Sequence, residues 1–322
     1  MRCKSRAVWY PIPGRLRSRA PGGPLRYLWY LLPWQFSPTV LTVCVLTVAL
    51  YLRGLALLKR NGAPVGFWRP FVFFLGVALS YGVLQTYFDF LAQHSFWVHC
   101  LQQLILHHLG PVLIVLSGPV RVLREGVPRT LRTGAARLLR PMRLDWLLKP
   151  LRLLWRTLQH PLIAPVLFVG LIYFWLIPQV HFATMIDTRR YLLMNWSMFA
   201  DGLLFWWVIL APREEQGSAA VGYKVRLLIL PFISMTQIVI GAYISLVPWQ
   251  LYPVYALCGR ALPISPMLDQ QIGGLLTWIP GAMMSLVGVI VVLRHMMREE
   301  EAQLRSSPRR AAAPSRPSAE VA

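Results

Sequence analysis

The sequence predicts an all-α protein, a polytopic transmembrane helical bundle of about seven spans. Three observations carry that prediction. Charged residues make up 14% of the 322-residue chain, against roughly 25% in soluble domains. Hydrophobic residues make up 56%, and mean hydropathy is +0.50. The missing charge is concentrated in apolar stretches of about 20 residues, the length that crosses a hydrocarbon layer as a helix.

The elements follow in chain order. Residues 1–33 form a basic tail rich in Pro and Gly, without the apolar region of a signal peptide. A transmembrane domain occupies 34–298, with spans predicted at 38–58, 70–90, 96–116, 161–181, 191–210, 227–247 and 272–293. A basic segment at 121–158 separates the third span from the fourth. In it Leu144, Leu147, Leu148, Leu151, Leu154, Trp155 and Leu158 recur at helical spacing, with Arg and Lys on the other face. That pattern predicts a helix lying in the membrane surface, broken at Pro150. Residues 299–322 are rich in Ala, Pro, Ser and Arg, which predicts a disordered tail.

The net charge is +21, from 33 Lys and Arg against 12 Asp and Glu. On a soluble chain such a balance points to nucleic acid. Here the basic residues sit between apolar spans, where they orient the protein and meet anionic lipid. Membrane lipid, and no nucleic acid, is the expected partner. With seven spans, about 23 of the basic residues fall on the side that holds the C-terminal tail and about 10 on the other. The C-terminus is therefore predicted to be cytoplasmic. Cys3, Cys44, Cys100 and Cys258 form no C-x-x-C pair and imply no disulfide framework.

The polar residues inside the spans are the functional signal, because burying them in hydrocarbon is costly. His99, Gln103 and His107 recur at i, i+4 and i+8 and share one helical face, and Cys100 aligns with His107 seven residues on. Met194, Met198 and Asp201 share a face of the fifth span. His181 closes the fourth span, and Asp269 and Gln270 open the seventh. With the predicted orientation these residues gather in the outer half of the membrane. Imidazole, thiolate and thioether groups suit copper, and soft sulfur favours Cu(I). The candidate copper ligands are His99, Cys100, His107 and His181. Gln103, His108, Met194, Asn195, Met198, Asp201, Asp269 and Gln270 form a supporting polar cluster. Packing is the competing reading for Met194 and Met198, and hydrogen bonding across helices is the competing reading for His99 and His107. No phosphate-binding loop, zinc-protease or serine-hydrolase motif is present, and no nucleophile–base arrangement argues for an enzyme.

Several segments, taken together and in order, resemble a known family. They are HCLQQLILHHLGPVLIVLSGP at 99–119, WLIPQVHFATMID, MNWSMFADGLLFWWVIL, LYPVYALCGR and DQQIGGLLTWIPGAMM. They are similar to the CtaG-type assembly factors of caa-type cytochrome c oxidase, and the resemblance runs from 34 to 293. It implies seven helices in the bacterial cytoplasmic (inner) membrane, and a non-enzymatic role in oxidase maturation. It further implies delivery of copper to the haem–copper centre, with the oxidase core subunit as partner. The chain departs from the family at one place. Gln103 stands where many members carry histidine, so a copper site here is either rebuilt from Cys100 and His107 or absent. Two readings from other classes stay open: a b-type haem electron carrier using paired histidines, and a metal or small-solute transporter using proline-broken helices.

Overall fold

The computed structural model describes residues 36–128, 130–131, 145–216, 220–257 and 259–306. The N-terminal tail, the tail beyond 306, Cys3 and Cys258 lie outside the described residues, as does the middle of the basic segment. The described residues are helical, with no strand among them. In chain order the helices are α1 (Pro38–Arg60), α2 (Trp68–Gln85), α3 (Tyr87–His94), α4 (Phe96–Leu104), a π-helical turn (Ile105–Leu109), α5 (Gly110–Leu116) and α6 (Pro119–Gly126). There follow α7 (Asp145–Leu158), α8 (Ile163–Leu176), α9 (Pro178–Met185), α10 (Thr188–Leu210), α11 (Arg213–Gln216), α12 (Tyr223–Leu246), α13 (Val254–Leu257) and α14 (Pro266–Ser306).

Five helices are long and apolar enough to cross a membrane: α1, the α4–π–α5 unit, α10, α12 and α14. Two bent pairs raise the number to seven if each counts as one span: α2 with α3, at 58°, and α8 with α9, at 73°. The chain is a membrane protein of the predicted helical class. The predicted spans 70–90 and 161–181 are these two pairs, and each bend has a local cause. Thr86 adopts extended backbone, and its hydroxyl accepts from Phe88 N at 3.3 Å, which ends α2 and caps α3. Ile177 precedes Pro178, which forces it out of the helical region to ψ 122° and re-aims the chain.

Two local expectations are corrected. α7 runs unbroken from Asp145 to Leu158 across Pro150, although a break was expected there. A proline removes one N–H bond, and a neighbouring surface can hold the helix through that loss. Leu153, Leu154 and Trp155 of α7 are exposed. The segment 299–306, expected to open a disordered tail, continues α14. Its Glu, Ala, Gln, Leu and Arg are good helix formers, and the next proline is Pro308.

The outer surface is apolar, and polar side chains are buried within an apolar core. Leu228, Phe232, Met235, Val239 and Ile290 face outward, whereas His99, His107, His108, Gln237 and Arg226 are buried. α12 packs along α14 over most of its length, and α4 lies against α14. α6 turns back against α1. A side chain at Gly126 would strike the Leu50 carbonyl, and one at Gly54 would strike the Val122 carbonyl, so the two backbones touch directly. α10 packs on α5, the π turn and α8, and so forms the other wall of the site.

Candidate functional site

The site is built around the third span. α4 passes into the π turn at Ile105–Leu109, closed by Gly110 N–H on the Ile105 carbonyl. Such turns inside α-helices carry one extra residue and are frequent at functional sites. Here the local sequence favours one. Pro111 has no N–H to give the His107 carbonyl, which an α-helix would require. The Trp206 indole donates to that carbonyl instead, at 3.2 Å. α10 reaches it because Gly202 has no side chain; a Cβ there would lie 2.5 Å from the His107 oxygen. The consequence is that the consecutive residues His107 and His108 both turn inward and are buried.

A cavity of about 50 Å³ lies between α4, the π turn, α8, α10 and α14. His99, Cys100, Gln103, His107, His108, Met194 and Met198 line it, and Ile172, Trp175 and Leu276 close its walls. Seven of the twelve residues predicted for the site therefore meet in one place. Three ring nitrogens among them have no hydrogen-bond partner: Nδ1 of His99, of His107 and of His108. The Gln103 oxygen is likewise unpartnered, while its amide nitrogen donates to Asn195 Oδ1 at 2.8 Å. Buried polar atoms are normally satisfied, and these four unpartnered atoms belong to residues that line one cavity. Among the described residues no three His, Cys, Asp or Glu side chains converge as a ready-made metal cage. Any ion held here would need the methionine sulfurs or a small rearrangement.

The other predicted residues support the walls. His107 Nε2 lies 3.0 Å from Asp201 Oδ2. His108 Nε2 lies 2.9 Å from the Gln237 amide nitrogen. His181 sits beside His99, with ring centroids 5.1 Å apart, but both its nitrogens are engaged. Nδ1 donates to the Trp175 carbonyl at 3.1 Å, and Nε2 accepts from the Tyr255 hydroxyl at 2.9 Å. Tyr255 lies in the loop between α12 and α14, and burial pushes its phenol well above the ordinary value, so it remains a donor. Tyr252 of the same loop stacks on Phe96 at 4.1 Å. His181 thus ties this loop down and has no lone pair to offer.

Asp269 and Gln270 are staples. Asp269 accepts from Ser95 Oγ, from the Phe96 and Trp97 backbone N–H groups, and from Arg260 Nη1, all at 2.9–3.1 Å. Gln270 accepts from Leu251 N–H and donates to the Ile244 and Trp249 carbonyls. They fix the start of α4 and the loop after α12, and they do not line the cavity.

Sequence reasoning missed several buried polar residues, among them Asp89, Gln102, Tyr191 and Gln237. Asp89 Oδ1 accepts from Tyr191 Oη at 2.7 Å and Gln102 Nε2 at 2.9 Å, and Oδ2 accepts from Gln93 at 2.7 Å. Asp89, Tyr191 and Asn195 line a second cavity of about 40 Å³. Gln237 is buried beside His108. The signal that could have found Asp89, Gln102 and Gln237 is a lone polar residue in an apolar span, the same signal that identified Gln103.

No curated protein and no solved structure matches the chain. A family model described as cytochrome c oxidase caa3 assembly factor (Caa3_CtaG) matches residues 49–299. That stretch includes every span but the start of α1 and the end of α14, and it contains the whole lining of the cavity at His99, Cys100 and His107. The chain belongs to the Caa3_CtaG family of cytochrome c oxidase assembly factors.

Proposed function

We propose that this assembly factor carries copper as cargo, accepting Cu(I) in the cavity between α4, α8, α10 and α14 and passing it to the haem–copper centre of the oxidase core subunit. The observation that supports it is the set of unpartnered imidazole nitrogens beside the Cys100, Met194 and Met198 sulfurs on one small cavity. Cu(I) favours soft sulfur with imidazole. His99, Cys100, His107, Met194 and Met198 are the proposed ligands, with His108 at their edge. Cys100 would give up its thiol proton on binding. An incomplete cage suits an ion that must leave again. A cavity of about 50 Å³ admits an ion or a few water molecules and has no room for a haem macrocycle. The role needs no covalent chemistry by the protein. In this reading the protein sits in the bacterial cytoplasmic membrane with its C-terminus in the cytoplasm, as the basic loops indicate. The cavity then opens in the outer half, where His99 lies one turn from the start of its span.

Deletion of the gene is expected to abolish oxidase activity and oxidase-bound copper while leaving subunit transcripts unchanged. The wild-type gene should restore both. A Cys100→Ser, His107→Ala double variant should reach the membrane at the wild-type level and restore neither. Full oxidase copper in a strain that carries only the double variant would overturn the proposal.

A further inference from the structure

We infer that Asp201 is a positioning residue, which holds His107 as the Nε2–H tautomer and so presents the Nδ1 lone pair to the cavity. The purpose of this arrangement rests on the copper-cargo reading; the tautomer follows from the geometry alone.

His107 is fixed on three sides. Its ring stacks on Phe168, with centroids 4.0 Å apart and planes at 17°. Its backbone carbonyl is held by Trp206. Its Nε2 meets the Asp201 carboxylate at 3.0 Å. The remaining ring nitrogen, Nδ1, is buried and has no partner. An ionised Asp201 accepts, and Nε2 then carries the hydrogen. The alternative, a protonated Asp201 donating to Nε2, places the ring hydrogen on Nδ1, as a buried donor with nothing to receive it. An unmade hydrogen bond of that kind costs about 1–3 kcal/mol. An unused lone pair costs less, and it is the form a soft cation can use.

The neighbouring histidine provides a contrast. His108 Nε2 faces Gln237, a side chain that can donate through its nitrogen or accept through its oxygen. Gln237 therefore serves either tautomer without a change of charge, whereas Asp201 serves the Nδ1–H form only by taking up a proton. Histidine ligands that donate their second N–H to a carboxylate are oriented and made more basic by it, and loss of the carboxylate typically weakens metal binding about 10–100-fold. Asp201 is itself buried and does not line the cavity. It acts through His107 and does not touch the ion.

The test is nitrogen-15 NMR of histidine-labelled, metal-free protein in nanodiscs, assigned through His107→Gln. The expected result is a His107 ring with the hydrogen on Nε2. Asp201→Ala should convert it to a mixture or to the Nδ1–H form. If Asp201→Ala fails to fold, Asp201→Asn serves. It keeps an acceptor oxygen but loses the charge, so the Nε2 proton resonance should move upfield. An Nδ1–H tautomer in the wild type, or an Asp201 variant with His107 signals unchanged, would overturn the assignment. In parallel, Cu(I) affinity should fall about 10–100-fold in Asp201→Ala. Wild-type protein that binds no Cu(I) would defeat the cargo reading, and the NMR result would still decide the role of Asp201.

Discussion

Replacing Asp269 by alanine is expected to cost about 3–5 kcal/mol of stability, the range for removing one partner of a buried charged pair. The carboxylate is 1% exposed and accepts four hydrogen bonds. Two of them come from backbone N–H groups at the first turn of α4, which have no other acceptor in an α-helix. A third comes from Ser95 and the fourth from Arg260, whose side chain is 17% exposed. Alanine would strand all four donors. Asp269→Asn keeps one oxygen and should cost less. Thermal unfolding in detergent checks this, with the order wild type, then Asn, then Ala. A melting temperature for Asp269→Ala equal to the wild type would show that the staple contributes nothing. The α4 start also carries Phe96, His99 and Cys100, so the alanine variant should lose cargo binding together with stability.

The second large effect is expected at Arg226, at the opposite end of the bundle. Arg226 is 0% exposed, and four of its five N–H donors are used. Nε donates to the Val221 carbonyl, Nη1 to the Ile209 and Ala211 carbonyls, and Nη2 to Gln216 Oε1, at 2.7–3.0 Å. The guanidinium lies 5.2 Å from the Tyr223 ring centroid. It sits at the C-terminus of α10, where the helix dipole and the unused carbonyls both favour a cation. Arg226→Met would fill the volume but leave four acceptors bare, at a cost of about 3 kcal/mol or more. Arg226→Lys should recover only part of this, because an ammonium cannot span the same fork. Urea or thermal unfolding that ranks Met equal to Arg would contradict this account.

The fold was largely legible from hydrophobicity. A span is a local property of about 20 residues, and the five long helices start and stop within a few residues of the predicted bounds, except where α14 runs on past 293. The bends were less legible. Pro178 was visible in the sequence, but whether a proline kinks a helix or is absorbed, as Pro150 is in α7, depends on its neighbours. Part of the site was legible too. Met194 and Met198 were paired by their spacing, and so were His99 and His107, and both pairs line the cavity. His108 was also named in the polar cluster, but the π turn that brings it inward beside His107 depends on Pro111, Gly202 and Trp206 acting together across 95 residues of sequence, which no local pattern reveals. Asp269 was read as a member of the polar cluster. Its role as the cap of α4 depends on a contact between residues 172–174 positions apart. His181 was chosen for its residue type, and its engagement by Trp175 and Tyr255 is again a product of tertiary packing.

The central claim is that the cavity beside His99, Cys100 and His107 receives copper. The most direct measurement is the copper content of purified protein after loading with Cu(I) under reducing conditions and removal of free metal. About one copper per chain is expected for the wild type, from a single soft site, and loss of it in the Cys100→Ser, His107→Ala double variant. Wild-type protein that retains no copper, or a double variant that retains as much as the wild type, would contradict it.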